Sequence, residues 1–140
     1  MLRVVAGANV LISAALARSP SAPSVQTLDA ALDGRLELVT SALLLRELAS
    51  VLARPRLRKY FTSDQAHRFL ADLAGQSTLL ADPLPPYPAV CRDPDDYLVA
   101  LATAHHANVL VTGDDDLLAI DHDPLDIEIL TPRQLVDRLD

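Results

Sequence analysis

Residues 3–13, RVVAGANVLIS, carry the reading on which the fold turns. A short Val-rich run ends at Gly7 and an apolar helical pattern begins at Asn9, so a buried strand passes through one tight connection into a helix over 9–17. The unit then repeats. SPSAPSVQTLDAALDGR (19–35) offers serine caps and an early proline for a helix to about Leu32, stopped by Gly34. LELV (36–39) is a second strand, and Thr40 or Ser41 caps a third helix that ends before Pro55. RLRKYF (56–61) reads as a short helical turn. Thr62 followed by Gln65 has the spacing of a capping box and opens a helix to about Ala74. STLLA (77–81) is a third strand candidate, and the four prolines of DPLPPYPAV (82–90) make a rigid loop. Asp93 and Pro94 cap a helix running through His105. NVLVT (108–112) is a strand, GDDDLLAI (113–120) a turn into a short helix, IEIL (127–130) the last strand, and Thr131–Pro132 starts a final helix.

Strands alternating with connections of helical length specify an α/β fold: a three-layer sandwich with a mostly parallel central sheet, here one domain over 1–140. Ligands of such sheets bind at the carboxyl ends of the strands near a topological switch point, which directs attention to the residues just after 6, 39 and 112.

Gly7 therefore stands at a place where chemistry is expected. It is a phosphate-cradling turn, an ordinary bend, or a hole where an acidic residue belongs. The four glycines, at 7, 34, 75 and 113, can spell neither GxGxxG nor a Walker A loop, which removes the first option. A phosphoacceptor receiver domain is excluded as well: it wants an acid after the first strand and a late lysine, and the only lysine is Lys59.

Bulk properties narrow the class. Half the residues are hydrophobic but 4% are aromatic, so an aliphatic core is expected. No apolar stretch reaches the roughly eighteen residues that span a bilayer, and the first residues lack a signal-peptide layout, so no membrane partner is expected. A single cysteine, Cys91, fits a reducing cytoplasm and reads as a small buried hydrophobe. The net charge of −7 argues against tight non-specific binding to a nucleic-acid backbone. It is compatible with carboxylates gathered around a divalent cation.

Three acidic places matter. Glu47 borders the stripe Leu44, Leu48, Val51 and Leu52, with no basic residue three or four positions away. In CRDPDDYLVALA (91–102), Asp93 is explained as a cap and Asp95 by the helix dipole, whereas Asp96 lies beside the apolar face at the ligand-binding edge. In TGDDDLL (112–118), three consecutive carboxylates directly follow a strand, and capping accounts for one of them comfortably. Acids from separate elements meeting at one edge suit Mg²⁺ or Mn²⁺ and attack of metal-activated water on a phosphodiester.

NVLISAAL (9–16), TSALLLRELASVLARPRLRKYF (40–61), CRDPDDYLVALA and VLVTGDDDLL (109–118), in this order, resemble the toxin-like PIN domains related to VapC ribonucleases. The resemblance covers nearly the whole chain. It implies a Mg²⁺/Mn²⁺-dependent endoribonuclease, a homodimer, and inhibition by a cognate antitoxin protein. It also implies roles. Glu47 matches the family's acid on the helix after the second strand, Asp96 the aspartate opening the DxxxA helix, and Asp114 and Asp116 the pair after the fourth strand, Asp116 weighing more. Asn9 matches the polar residue that helps to hold the first loop. Gly7 occupies the place of the family's first aspartate. A single base change makes that substitution, which reads as a loss of function, engineered or selected against toxicity to a host, with a naturally degenerate domain as the alternative. The predicted activity is accordingly impaired by at least ~10²-fold.

RPRLRK (54–59) gathers Arg54, Arg56, Arg58 and Lys59 next to Tyr60 and Phe61, either to touch an RNA backbone or to favour a helix C-terminus. His105 and His106, adjacent on a helix, point apart and close its end rather than bind metal. The rival to the enzyme is a non-catalytic PIN-like scaffold that binds RNA or a protein; Gly7 favours it, and the retained Glu47, Asp96, Asp114 and Asp116 oppose it.

Overall fold

The structure is a computed structural model that describes residues 1–90, 95–121 and 123–140. Five strands form one sheet: β1 (Leu2–Ala6), β2 (Leu36–Thr40), β3 (Thr78–Leu79), β4 (Val109–Val111) and β5 (Glu128–Leu130). Their order is β3-β2-β1-β4-β5 and every pairing is parallel. The helices are α1 (Ala8–Leu16), α2 (Pro23–Leu32), α3 (Ala42–Leu52), α4 (Ser63–Gln76), α5 (Asp95–Ala104), α6 (Asp115–Leu118) and α7 (Pro132–Leu139).

Successive strand residues point to opposite faces, and both faces are buried. Val4, Ala6, Leu36, Leu38, Val109 and Val111 pack in one aliphatic cluster with Val10 and Leu11 of α1, Leu48 and Leu52 of α3, and Leu135 of α7. Val5, Val39, Leu110 and Ile129 pack on the opposite side with Tyr97, Leu98, Leu101 and Ala102 of α5 and Leu117 of α6. The expected three-layer α/β sandwich is the observed architecture.

Local chemistry ends several elements where the sequence predicts. Gly34 has φ +77, and the bonds from Gly34 N to the Ala31 carbonyl and from Arg35 N to the Ala30 carbonyl close α2 in a Schellman motif. Thr62 and Gln65 form the capping box of α4. Three expectations shift. The serine cap of α2 is replaced by Ala22 with Pro23 in the first turn, the ring supplying the helical φ that a hydroxyl would otherwise help to fix. STLLA contributes only Thr78–Leu79 to the sheet, because the proline-rich loop follows at once. α5 ends at Ala104, and His106 turns the chain with φ 55. The Asp93–Pro94 cap and Cys91 lie outside the described residues.

Candidate active site

The strand order reverses at β1: the chain moves from β1 to β2 and β3 on one side, then returns to place β4 and β5 on the other. The carboxyl ends of β1 and β4 therefore flank the switch point. Gly7 is bound there, its N–H donating to the Val111 carbonyl at 2.9 Å, and it is buried. Its backbone (φ −65, ψ 155) is an ordinary extended one, so the turn makes no demand for glycine. A Cβ at this position would lie 3.2 Å from Asn9 Oδ1, 3.4 Å from Leu98 Cδ1 and 3.6 Å from the Val111 carbonyl oxygen. A small shift of the Asn9 side chain, itself exposed, makes the room. Gly7 is also the N-cap of α1 and supplies no side-chain cap.

Beyond β4, buried Thr112 organises the acidic loop, its hydroxyl accepting from Asp114 N at 3.0 Å. Asp114 is the N-cap of α6: its Oδ1 accepts from Asp116 N at 2.9 Å, which places its negative charge at the positive end of the helix. Asp114 is half-buried and Asp116 exposed. Asp96, in the first turn of α5, is buried, and its Oδ1 accepts from Val90 N at 2.9 Å. Asn9 joins this edge to its surroundings: its side chain faces Gly7, and its Nδ2 lies 4.0 Å from where a Cβ on Gly113 would stand.

Asn9 also lines a groove of about 650 Å³ running between α1 and α3. Glu47, Arg54, Arg56, Lys59 and Tyr60 border the same groove, over a floor of Ile12, Leu16, Val51 and Leu57. Glu47 is exposed at the rim. Ser13 lines the groove too; no motif in the sequence marks it, although it lies four residues after Asn9 on an exposed helix face. Lys59 Nζ sits 5.1 Å over the Tyr60 ring. Arg58 goes elsewhere. Its guanidinium donates to the Leu52 carbonyl at 2.6 Å and to the Phe61 carbonyl at 3.2 Å, tying down the end of α3. His105 bonds the Ala81 carbonyl through Nε2 at 2.7 Å.

Among the described residues no three His, Cys, Asp or Glu side chains approach closely enough to hold an ion. The donors offered at the edge are carboxylates, whose hard oxygens suit Mg²⁺ or Mn²⁺ in chemical type. One position at its centre, Gly7, has no side chain to contribute.

A family model described as PIN domain matches residues 3–116. An uncharacterized protein of Methanocaldococcus jannaschii is 23% identical over 146 residues, spanning 99% of this chain and 92% of that protein. The crystal structure of PAE2754 from Pyrobaculum aerophilum superposes with a TM-score of 0.64 at 21% identity, covering 99% of this chain and 89% of the other. A chain of VapBC2 from Rickettsia felis, solved bound to a DNA fragment from their promoter, gives 0.57 at 16% identity over 92% and 97%. A chain of FitAcB from Neisseria gonorrhoeae gives 0.56 at 19% over 93% and 98%. These similarities establish the shared fold.

Proposed function

Because this chain belongs to the PIN domain family, we propose that it is built as a Mg²⁺- or Mn²⁺-dependent endoribonuclease, the toxin of a toxin–antitoxin pair, and that Gly7 impairs it. One observation carries the reading. At the switch point stands a glycine whose backbone does not require glycine, beside Asn9 and the β4 carboxyl end, where a side chain can be admitted by a small shift of exposed Asn9. An aspartate is the residue that would complete the carboxylate set. The fold likeness to a VapBC2 chain supports a cognate antitoxin as protein partner, and we extend the same reading to a homodimer working in the cytoplasm.

In this reading Glu47, Asp96, Asp114 and Asp116 would draw together to hold the cation, which supplies Lewis-acid polarisation and an activated water when bound. The chain's own residues do the rest. Asn9 spaces the β1 and β4 loops. Arg54, Arg56 and Lys59 offset the phosphate charge along the groove, a local reversal of an acidic surface. Tyr60, half exposed, offers a ring face to a base once Lys59 moves aside.

The test is restoration. Gly7→Asp is expected to raise Mn²⁺ affinity and to switch on cleavage of a structured RNA pool by at least ~10²-fold. Chelator and Asp96→Ala should each abolish that activity. A restored protein that neither binds Mn²⁺ nor cuts RNA would sink the enzyme reading. It would leave the second one, a non-catalytic scaffold, which Gly7 and the basic groove favour and which predicts RNA or protein binding unchanged by chelator.

A further inference from the structure

Glu47 and Asp96 stand on different helices, α3 and α5, and their relative placement depends on what joins the two. A chain of hydrogen bonds does so at the carboxyl end of β2. Ser41 caps α3, its Oγ accepting from Leu44 N at 3.2 Å. The same hydroxyl bonds the phenol of Tyr97, which donates its one proton to Asp82 Oδ1. The Ser41 hydroxyl therefore donates to the phenol oxygen. Asp82 closes the loop by accepting from Leu43 N, in the first turn of α3, at 3.3 Å. Bonds arranged head to tail strengthen one another.

Tyr97 is 9% exposed and Ser41 completely buried, so both hydroxyls would be destabilising without partners. Phenylalanine would fill the same space in an otherwise aliphatic core, and the Tyr97 ring already meets Tyr87 edge-to-face at 5.6 Å. Apolar packing alone tolerates sliding; the phenol adds a directional tie. It falls immediately after Asp96, whose carboxylate accepts from Val90 N.

We infer that Tyr97 is a positioning residue, its hydroxyl setting the first turn of α5, and with it the Asp96 carboxylate, against the N-terminus of α3. The catalytic meaning of that placement rests on the function proposed above; the placement itself does not.

The experiment compares Tyr97→Phe with the parent in the full chain, both with Gly7 and with Gly7→Asp. Amide exchange at Val90 reports the bond to Asp96 without metal. Titration with Mn²⁺ alone reports the site. Tyr97→Phe is expected to speed Val90 exchange by about tenfold, with little change at the β1 amides of the core. In the Gly7→Asp protein it should weaken Mn²⁺ binding several-fold. Asp82→Ala, which removes the acceptor of the phenol and of Leu43 N but keeps the Ser41–Tyr97 bond, should move both readouts in the same direction by less, and it serves if Tyr97→Phe fails to fold. Val90 exchange at the parental rate in a folded variant overturns the inference. So does faster exchange with unaltered Mn²⁺ affinity in a Gly7→Asp protein that binds the ion. A Gly7→Asp parent that binds no Mn²⁺ refutes the metal site, and the positioning role is then decided by Val90.

Discussion

The two ends of β1 treat charge in opposite ways. At the amino end Arg3 lies in register with Glu37 of β2 and donates to it at 2.6 Å, while its Nη1 reaches the His105 carbonyl at 2.8 Å. Thr78 adds a bond to the second oxygen of Glu37 at 3.2 Å. Three adjacent strands are stitched by one pair of opposite charges. Toward the carboxyl end, Asp96 of α5 and Asp114 after β4 each accept from a backbone N–H. An N–H donor steadies a carboxylate through a directional bond rather than a paired side-chain charge. The first end is fixed by an ion pair across strands, the second by backbone donors to carboxylates.

Changes at the carboxyl end should have the largest effects. In the Gly7→Asp protein, Asp114→Ala is expected to reduce metal-dependent cleavage by ~10²-fold, and to lower stability by ~1 kcal/mol through loss of the α6 cap. Rates and thermal unfolding of one preparation would separate the two effects; full activity after this change would erase the contrast between the ends.

The basic rim comes next. Arg56→Ala with Lys59→Ala should weaken RNA binding and reduce the slope of log affinity against log salt by about one for each phosphate no longer neutralised. Arg58→Ala should leave that slope alone and instead destabilise the fold by roughly 1–2 kcal/mol, since the Leu52 and Phe61 carbonyls lose a charged donor. Salt-dependent binding isotherms and denaturant melts decide the assignment.

The smallest effect belongs to the amino end. The Arg3 hydrogen bond holds the Glu37 carboxyl below its usual range, against the opposing pull of burial. The folded protein thus binds that proton more weakly than the unfolded chain. The pair's stabilisation is present above the ordinary glutamate value of ~4.3 and is lost as pH falls below it. Glu37→Gln should flatten the acid limb of a melting-temperature profile there and remove under ~1 kcal/mol near neutrality, the pair being partly exposed. RNA cleavage by the restored enzyme should not change.

Much of the fold was legible because its causes are local. Apolar runs of strand length, the Thr62–Gln65 box and Gly34 after α2 each act within a few residues, and each element formed close to its expected place. The acidic positions were legible by type, since Glu47 at the margin of a helical stripe and three aspartates after a strand are unusual wherever they fold. The role of Arg58 was not. Four cations in six residues look alike in sequence, and only the turn over Pro55–Leu57 sends Arg54, Arg56 and Lys59 to the groove while Arg58 folds back on α3.

By itself the sequence determined which segments are strands and helices, roughly where they lie, and that three aspartates would follow a strand end. Tertiary structure decided which strand ends are neighbours. Gly7 touches Val111 only because β1 and β4 pair across the reversal in strand order, and Ser41, Asp82 and Tyr97 meet only because α5 packs back over β1 and β4 with its first turn toward the carboxyl end of the sheet. The reason is physical: caps and periodicity depend on residues a turn away, whereas sheet order is chosen by burying both faces of the whole sheet at once.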